Sequence, residues 1–350
     1  MAAPGTVRLV VMMSALNEEK TVGEVIDGIP RDMGFPVDLQ VVVVDDGSDD
    51  ATGSIAAERG ATVIRHPTCM GLGRSFADAL DRSLRQGADV IVNIDADGQF
   101  DPRDIPKLVR PIVEDRADFV TTTRFADPDM VPEMPWVKKW GNRQMCRLVN
   151  LATGTTALTD VSCGFRAFTR EAALHLNLVG AFTYTHESII DLAGKGFRIA
   201  EVPLRVHGVR KHGRSRIAHS VLAYGVRAFM IVLRAMCYTR PLAFFGSVAA
   251  ALLALGFVQG GFVLVHWLAT HRTAPYKSLL IGSSLFLTLG FLVGILALLA
   301  DMLGRLVTVS ERLYARSKAE HYDDAHPGVP GGGQKGAVEA PGDADNEPDG

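Results

Sequence analysis

Residues 90–101 read Val90-Ile91-Val92-Asn93-Ile94-Asp95-Ala96-Asp97-Gly98-Gln99-Phe100-Asp101, an apolar run that passes directly into an acidic turn. The run predicts a buried strand, and the turn then lies at the carboxyl edge of a parallel sheet, where ligands bind. Asp95 and Asp97 repel each other unless a cation lies beside them, and carboxylates suit Mg²⁺ or Mn²⁺. The alternative is an acidic turn that only caps the following helix, because short motifs often arise by chance.

The segments around this stretch alternate between predicted strands and helices. Such alternation predicts an α/β fold with a parallel, doubly wound sheet and right-handed crossovers. After Arg124 the alternation weakens, although one basic helix, one further strand and one turn with a helix are still expected. The predicted strands are 7–13, 39–44, 61–65, 89–94, 118–123 and 159–168, and the predicted helices are about 21–29, 49–59, 71–86, 102–114, 136–153 and 181–194.

The composition points away from a purely soluble protein. The chain has 350 residues, of which 47% are hydrophobic, and a net charge of −3 that hides a strong asymmetry. No acidic residue occurs between Glu201 and Asp301, whereas arginines crowd the first part of that interval. The four cysteines show no C-x-x-C spacing, which argues against a zinc site and fits a reducing compartment. The apolar run at 9–13 is too short for a signal peptide and is better interpreted as the first strand.

Two segments without a formal charge, about 242–268 and 278–300, are long enough to cross a bilayer. Two spans put both flanking segments on the same side, and the arginines in those flanks predict that this side is cytoplasmic. The sequence therefore divides into a folded domain, an interfacial amphipathic helix, a pair of transmembrane helices and a last segment. That segment starts with a cytoplasmic helix end and becomes a disordered, acidic tail rich in Gly and Pro beyond Arg316. The predicted boundaries are 1–216, 217–240, 241–301 and 302–350.

Five motifs follow one another along the chain: Ser14-Ala15-Leu16-Asn17-Glu18, Val44-Asp45-Asp46-Gly47-Ser48, Asp95-Ala96-Asp97-Gly98-Gln99, Asp160 with Gly164-Phe165-Arg166, and Glu201-Val202-Pro203. In this order they resemble the motifs of the family 2 glycosyltransferases with the GT-A fold, most closely their dolichol-phosphate mannose synthase-like branch with its bacterial polyprenyl-phosphate members. The resemblance covers about residues 7–217 and implies a doubly wound mixed sheet, membrane attachment and, in the bacterial branch, a tetramer.

The resemblance implies a role for each residue on the donor side. Asp46 would contact the base or ribose of a nucleotide sugar, and Leu16, Asn17 and Glu18 would line the same pocket. Asp95 would lie near the ribose and the metal, while Asp97, helped by Gln99, would hold Mg²⁺ or Mn²⁺ on the diphosphate. Arg74, at a helix N-terminus suited to a diphosphate, would assist the cation. Taken alone, 17–19 would equally suit an ordinary helix N-terminus.

On the acceptor side, a lipid monophosphate is already largely anionic at pH 7 and requires cations rather than a general base. The same arginines would also anchor the chain on anionic lipid, and the two roles can coexist. Arg216 stands where the family motif R-x-x-G-x-S-K has lysine, which keeps the charge but changes the geometry. Asp160 and Arg166 could shape the acceptor pocket or hold a turn, and the role of Glu187 stays open. The candidates for the acceptor phosphate are Arg124, Arg210, Ser215 and Arg216, followed by Lys139 and Arg143.

The predicted function is a membrane-bound, inverting glycosyltransferase with Asp95, Asp97 and Arg124 as catalytic residues. It would move a sugar from GDP-mannose or a UDP-hexose to a polyprenyl or dolichyl monophosphate, with no nucleic-acid partner. One alternative is a processive polysaccharide synthase, which needs more spans and a Q-x-x-R-W motif. Here Gln144 and Arg147 fit that motif, but Leu148 stands where the tryptophan would be. The other is a non-catalytic, nucleotide-binding membrane scaffold. The expected location is the cell membrane, with the catalytic domain and the tail in the cytoplasm.

Overall fold

The computed structural model describes residues 5–131, 136–153, 158–176, 184–206 and 241–324. Their α/β part is built on one seven-stranded sheet with the order β3-β2-β1-β4-β6-β5-β7. The strands are β1 (Val7–Ala15), β2 (Val37–Asp45), β3 (Thr62–Arg65), β4 (Val90–Asn93), β5 (Phe119–Thr123), β6 (Arg166–Thr169) and β7 (Ile199–Pro203).

The helices of the α/β part follow the strands in alternation as far as β5, and then two helices lie in succession between β6 and β7. Short 3₁₀ turns at Pro102–Asp104 and Pro128–Met130 precede the fourth and fifth of them. The helices are α1 (Val22–Asp27), α2 (Thr52–Glu58), α3 (Leu72–Arg85), α4 (Ile105–Val113), α5 (Trp136–Thr153), α6 (Arg170–His175) and α7 (Thr185–Gly194).

Two hydrophobic layers cover the two faces of the sheet because successive strand residues point to opposite sides. Leu9 and Val11 of β1 belong to the first layer, together with the apolar face of α4. Val10 and Met12 belong to the second layer, which contains buried residues of α3, α5, α6 and α7. The central strands β1 and β4 are buried on both faces, as the continuous apolar run at 90–94 predicts.

The sheet is mixed, so the alternation-based prediction of a parallel sheet is wrong at one strand. β6 pairs antiparallel with both β4 and β5, whereas β5 and β7 are parallel. The strand predicted at 159–168 is also too long, because only Arg166–Thr169 is extended and paired. Residues 158–165 instead form a loop at the carboxyl edge of β4 and β5. The GT-A-like mixed sheet implied by the resemblance is confirmed.

Two long apolar helices, α8 (Pro241–Thr270) and α9 (Lys277–Asp324), form an antiparallel hairpin. Both are long and apolar enough to cross a membrane. The helices approach closely at small residues: a Cβ added at Gly256 would lie 2.8 Å from the Leu287 side chain, and Ser283 Oγ donates to Gly256 O at 2.8 Å. Small residues at such a crossing are typical of helix packing in a bilayer.

The second helix continues well past the predicted span. It runs to Asp324, so the segment just beyond Arg316, where we expected a disordered tail, is helical as far as the structure describes the chain. The helix is held there by contacts with the α/β domain: Glu311 pairs with Lys195 at 3.5 Å, and Tyr322 Oη donates to Asp81 at 2.5 Å. The predicted interfacial helix at 217–240 and the chain beyond 324 lie outside the described residues.

The hairpin meets the domain at the amino edge of the parallel strands. A cavity of about 540 Å³ is lined there by Pro241 and Asp301 together with Asp118 and Phe197, which precede β5 and β7. Farther along α9, Tyr322 reaches α3, the helix that packs over β1 and β2. From the end of its apolar half towards its C-terminus, α9 therefore runs from the β7 side of the sheet towards the β1 side. As a result, β7 and β5 are the strands nearest to the candidate membrane spans.

Candidate active site

The acidic turn follows β4 directly and lies at the carboxyl edge of the sheet. Ile94 N still donates to Met12 O at 3.1 Å, so the sheet holds the chain up to the residue before Asp95. Asp97 is buried, and its Oδ1 accepts the backbone N–H of Gln99 at 3.0 Å. Asp95 is partly exposed. The structure thus brings Asp95, Asp97 and Gln99 together in one tight turn, as the sequence predicts.

A buried polar group that sequence reasoning missed, Asn93, lies two residues before Asp95 and joins β4 to Gly164 and Tyr184. Asn93 Nδ2 donates to Gly164 O at 2.7 Å and to Tyr184 Oη at 2.9 Å, and the Tyr184 ring stacks on Phe76 with ring centroids 4.0 Å apart. A Cβ at Gly164 would lie 3.1 Å from Asp95 Oδ2 and 2.9 Å from Tyr184 Oη, so this position needs glycine. The one available sequence signal was an asparagine inside an apolar strand.

Asp46 holds the loop between β3 and α3 through hydrogen bonds to both of its carboxylate oxygens. Its Oδ1 accepts from His66 Nδ1 at 2.7 Å and from Met70 N at 2.8 Å. Its Oδ2 accepts from Gly71 N at 2.9 Å and from Cys69 Sγ at 3.3 Å. Burial by itself would raise the pKa of Asp46, but these hydrogen bonds outweigh it and lower the pKa. A contact of Asp46 with a nucleotide base or ribose stays a prediction.

This depressed pKa predicts a specific dependence of stability on pH. A carboxyl whose folded-state pKa lies below its ordinary value of 3.8 contributes stability that is present above that value and lost as the pH falls through the folded-state pKa. We expect Asp46→Asn to unfold at a lower temperature than the wild type at neutral pH, and the difference in unfolding temperature should shrink below a pH of about 4. Thermal unfolding of both proteins in detergent measures this difference. A difference that does not change with pH would contradict a lowered pKa of Asp46.

Arg74 belongs to the hydrogen-bond network that contains Asp46 and His66. His66 Nε2 lies 3.0 Å from Asp78 Oδ2, and Arg74 Nε donates to the same oxygen at 2.8 Å. This contact raises the pKa of the exposed Arg74 guanidinium. The network holds the N-terminus of α3 and its preceding loop beside the carboxyl end of β2. The proposed contact between Arg74 and a diphosphate stays a prediction.

The segment 16–19 joins the loops that follow β1 and β2. Asn17 has φ of +55°, a left-handed conformation that asparagine tolerates better than most residues. Its Oδ1 accepts from Asp49 N at 2.9 Å, and its own N–H donates to Ser48 Oγ at 2.9 Å. Glu18 N donates to Thr52 Oγ1 at 2.8 Å. Leu16, Asn17 and Glu18 therefore do lie at the edge that carries Asp46, although part of their role is structural.

Arg124 follows β5 and is held by a buried carboxylate. Its Nε and Nη2 donate to the two oxygens of Asp160 at 2.6 and 3.0 Å, and Nη2 also donates to Ser162 Oγ at 3.0 Å. Asp160 is fully buried, whereas 20% of the Arg124 side chain is exposed. Glu201 in turn accepts the N–H groups of Thr159 and Asp160, the latter at 3.0 Å. A pair of this kind fixes the guanidinium at the carboxyl edge of the sheet.

The Arg166 guanidinium is bound to backbone carbonyls in the interior of the domain. It is fully buried, and its guanidinium donates to Cys163 O at 2.7 Å, Thr185 O at 2.6 Å and Val161 O at 3.2 Å. Of the two roles left open by the sequence, the structure supports the structural one: Arg166 ties the 158–165 loop to the start of α7. Burial lowers the pKa of Arg166, and burial together with this cation lowers the pKa of His186 to about 4.

The remaining candidates are only partly placed. Lys139 and Arg143 are exposed on α5, and Glu187 lies in the first turn of α7, one turn from Tyr184. Arg210, Ser215 and Arg216 lie outside the described residues. The chain leaves β7 at the carboxyl edge of the sheet, which we call the acidic edge because it carries Asp95 and Asp97: Leu204 N donates there to Thr123 O at 3.2 Å. Leu204 therefore lies beside the residue that precedes Arg124.

The donor set at the turn fits a divalent cation shared with a ligand. Mg²⁺ is commonly held by one or two carboxylates together with phosphates of the substrate rather than by a complete protein cage. Asp95 and Asp97 supply two carboxylates within one turn. In the part of the chain that the structure describes, no group of three or more His, Cys, Asp or Glu side chains could hold a metal ion by itself. The residues present therefore suit a cation that a diphosphate helps to bind.

A mixed α/β sheet whose central strand ends in a paired-carboxylate turn is the arrangement of a glycosyltransferase. The chain belongs to glycosyl transferase family 2, whose family model matches residues 10–176. The predicted family and enzyme class are confirmed.

Three relatives illustrate this membership. The UDP-N-acetylglucosamine–dolichyl-phosphate N-acetylglucosaminyltransferase of Methanococcus voltae is 28% identical over 56% of this chain and 84% of its own length. The polyprenol monophosphomannose synthase of Mycolicibacterium smegmatis is 28% identical over 63% of this chain and 88% of its own. Glucosyl-3-phosphoglycerate synthase of Mycobacterium tuberculosis, solved with Mn²⁺, UDP and glucosyl-3-phosphoglycerate, has a TM-score of 0.51 and is 26% identical over 66% of this chain and 80% of its own. The solved relative supports the use of a divalent metal in this family.

Proposed function

We propose that this glycosyltransferase moves a sugar from a nucleotide-diphosphate sugar to the phosphate of a polyprenyl monophosphate, with inversion at the anomeric carbon. The observation that carries the proposal is the order of the groups along one sheet edge. Asp46 and Asn17 lie at the β1–β2 end, the acidic turn follows β4, and Arg124 follows β5. Since β5 and β7 are the strands nearest to α8 and α9, the nucleotide end would face away from a membrane and the cationic end would face towards it.

On the donor side, Asp95 and Asp97 would hold Mg²⁺ or Mn²⁺ against the diphosphate, with Gln99 fixing the Asp97 carboxylate. A cation in this position neutralises the charge that develops on the leaving nucleoside diphosphate. The small Gly164 leaves room for the Asp95 carboxylate, because an added Cβ would lie 3.1 Å from Asp95 Oδ2. Leu16, Asn17, Glu18 and Asp46 would form the wall of the nucleotide pocket, and Arg74 would add a positive charge near the diphosphate.

On the acceptor side, one oxygen of the lipid phosphate would attack C1 of the sugar as the bond from C1 to the nucleoside diphosphate breaks. The second pKa of a phosphate monoester is about 6, so this oxygen carries negative charge at neutral pH without a general base. Arg124, held rigid by Asp160, would orient the phosphate. Arg210, Ser215 and Arg216 would complete the site, with Lys139 and Arg143 farther out and Glu187 near its floor.

The hairpin of α8 and α9 would anchor the enzyme as a two-span membrane protein with the α/β domain and the C-terminal segment in the cytoplasm. The basic flanks of the hairpin favour this orientation. Residues 207–240 would connect the acidic edge, where β7 ends, to the start of α8. The domain would then lie with its β7 side towards the bilayer, so that an embedded lipid reaches Arg124 from the side. A homotetramer, as in the bacterial branch, is part of the proposal.

The test supplies radiolabelled GDP-mannose, UDP-glucose and UDP-N-acetylglucosamine in turn, with Mg²⁺ or Mn²⁺ and polyprenyl phosphate, to the purified full-length protein. We expect labelled glycolipid with one donor and no product when a chelator removes the metal. Phosphoglyceric acid serves as a second acceptor, because the solved relative binds it. Transfer to phosphoglyceric acid instead of lipid would replace the proposed acceptor, and tight donor binding without any transfer would favour a non-catalytic scaffold.

A further inference from the structure

The outer face of α9 carries a leucine at every seventh residue. Each of these leucines is between 53% and 67% exposed, whereas α8 contacts the opposite side of the helix through Ser283 and the α/β domain contacts it through Glu311. Another exposed residue stands four positions before each leucine, and these include the β-branched Ile281, Ile295 and Val309. The two sets alternate at spacings of four and three along one stripe, which we call the heptad face. Its leucines are Leu285, Leu292, Leu299, Leu306 and Leu313.

Lipid chains would cover only the first part of the heptad face. The charge-free segment 278–300 is about 35 Å long as a helix, which already exceeds the hydrocarbon core of about 30 Å. Polar chain follows, beginning with Asp301, which pairs with Arg305 at 3.0 Å. Beyond this pair the stripe continues unchanged, with Leu306 67% exposed and Leu313 61% exposed. A row of large apolar side chains outside the bilayer indicates that another protein surface covers it.

The seven-residue spacing identifies that surface as the same face of another copy. A strict heptad repeat stays on one line only where helices supercoil around each other, and contact with lipid imposes no such repeat. Copies inserted into one membrane in the same orientation present α9 in parallel, so identical heptads meet. The flanking charges also fit: in a parallel coiled coil Arg305 would face Ser310, and Arg312 would face Ser317, of the neighbouring copy. Like charges therefore do not meet across the contact.

We propose that the heptad face of α9 joins four copies of this chain in a parallel, four-helix coiled coil that begins within the membrane and continues beyond it to Leu313. Leucine at the first heptad position with β-branched residues at the fourth favours trimers and tetramers over dimers. Because α8 and the α/β domain contact the opposite side of α9, they would surround this bundle. The choice of four copies rests on the homotetramer proposed above, whereas the interface does not depend on the proposed reaction.

Cysteine cross-linking of the full-length protein in membranes maps the contact. The background protein has Cys69 and Cys237 replaced by Ser, so that only the buried Cys146 and Cys163 remain. With a short bismaleimide, we expect added cysteines at two leucine positions to join copies into dimers, because equivalent side chains meet in the centre of a parallel coiled coil. The matched control places a cysteine at an exposed position on the outside of the coil and should give no more dimer than the background. The variants are Leu306→Cys and Leu313→Cys, with Thr308→Cys as the control.

Truncation of the leucines outside the membrane tests what they contribute to assembly. Leu306→Ala/Leu313→Ala changes two side chains that are exposed in the single chain, and alanine favours helix, so α9 should stay helical in circular dichroism. Native mass spectrometry in detergent across a protein dilution series should show tetramers in the wild type. In the double variant, dissociation should shift to roughly 100-fold higher protein concentration. Tyr314→Ala, which removes an exposed aromatic side chain off the heptad face, should assemble like the wild type.

The possible outcomes separate this interface from the proposed function. A tetramer that tolerates Leu306→Ala/Leu313→Ala, or that cross-links equally at positions 306 and 308, would overturn the heptad face and leave the homotetramer standing. A dimer or trimer would overturn the four-helix arrangement. A monomer would overturn both the interface and the homotetramer, and if its Leu306→Cys resisted a water-soluble maleimide, residues 207–240 of the same chain would be assigned to the face. The glycolipid assay reports the reaction independently of all these results.

Discussion

Asp97→Asn should reduce turnover about 10³-fold or more, which corresponds to a loss of roughly 4 kcal/mol of transition-state stabilisation. The substitution keeps the oxygen that accepts from Gln99 N, so the turn should keep its shape, but it removes the charge that would hold the cation on the diphosphate. The measurement is the initial rate of sugar transfer across a Mn²⁺ titration, with thermal unfolding as a check on folding. Turnover that stays within a few-fold of the wild type would contradict the metal assignment.

Two further variants serve as controls for Asp97→Asn. Asp101→Asn changes the same residue type in the same stretch, but Asp101 Oδ1 caps a 3₁₀ turn by accepting Arg103 N at 3.0 Å. Its turnover should stay within a factor of about three, since asparagine caps a helix as well as aspartate does. Arg216→Ala should mainly raise the KM for polyprenyl phosphate and leave metal dependence intact. Equal effects of all three substitutions would refute the division into donor and acceptor residues.

Breaking the Arg124 and Asp160 pair should have the largest effect on stability. Asp160→Ala leaves a mostly buried guanidinium without its carboxylate, and Arg124→Met leaves a fully buried carboxylate without its cation. Either change is expected to cost about 3–5 kcal/mol of unfolding free energy. The double variant should cost less than the sum of the two, with a coupling energy of about 2 kcal/mol. Denaturant unfolding of the four proteins in detergent measures this cycle.

The opposite end of the same strand supplies the control pair. Asp118 precedes β5 and pairs with Arg198 at 2.7 Å, but this pair lies nearer to solvent, with 47% of the Arg198 side chain and 23% of the Asp118 side chain exposed. Asp118→Ala and Arg198→Met should destabilise the protein much less, because water screens the exposed charges. Equal losses at both ends of β5 would show that burial of Asp160 is not what makes the Arg124 pair important.

The local sequence predicts the elements and one part of the site well. Apolar runs bounded by turn residues located β1, β2 and β4, because a strand buried on both faces is largely apolar. The chain order then placed Asp46, Asp95 and Arg124 after parallel strands and hence at one edge. Alternation failed at β6, whose short antiparallel pairing depends on contacts with β4 and β5 rather than on any local pattern.

Long-range contacts account for most of what the sequence did not predict. Tyr184 reaches Asn93 across 91 residues, and nothing local distinguishes it from an ordinary core tyrosine. Arg166 belongs to a recognisable motif, yet burial among backbone carbonyls makes it a structural cation rather than a ligand-binding one. The helical part of α9 beyond Arg316 was also missed, where Tyr322 contacts Asp81 of the α/β domain.

By itself, the sequence determined the apolar strands, the paired carboxylates of the acidic turn and the two charge-free segments, since each of these depends on neighbouring residues alone. The tertiary structure decided which strands border α8 and α9, which charges are already engaged by buried partners, and which face of α5 is exposed. These properties depend on packing between segments that are far apart in the chain. Packing in the folded domain places the acidic turn at the carboxyl edge of the sheet and the candidate membrane helices at its amino edge.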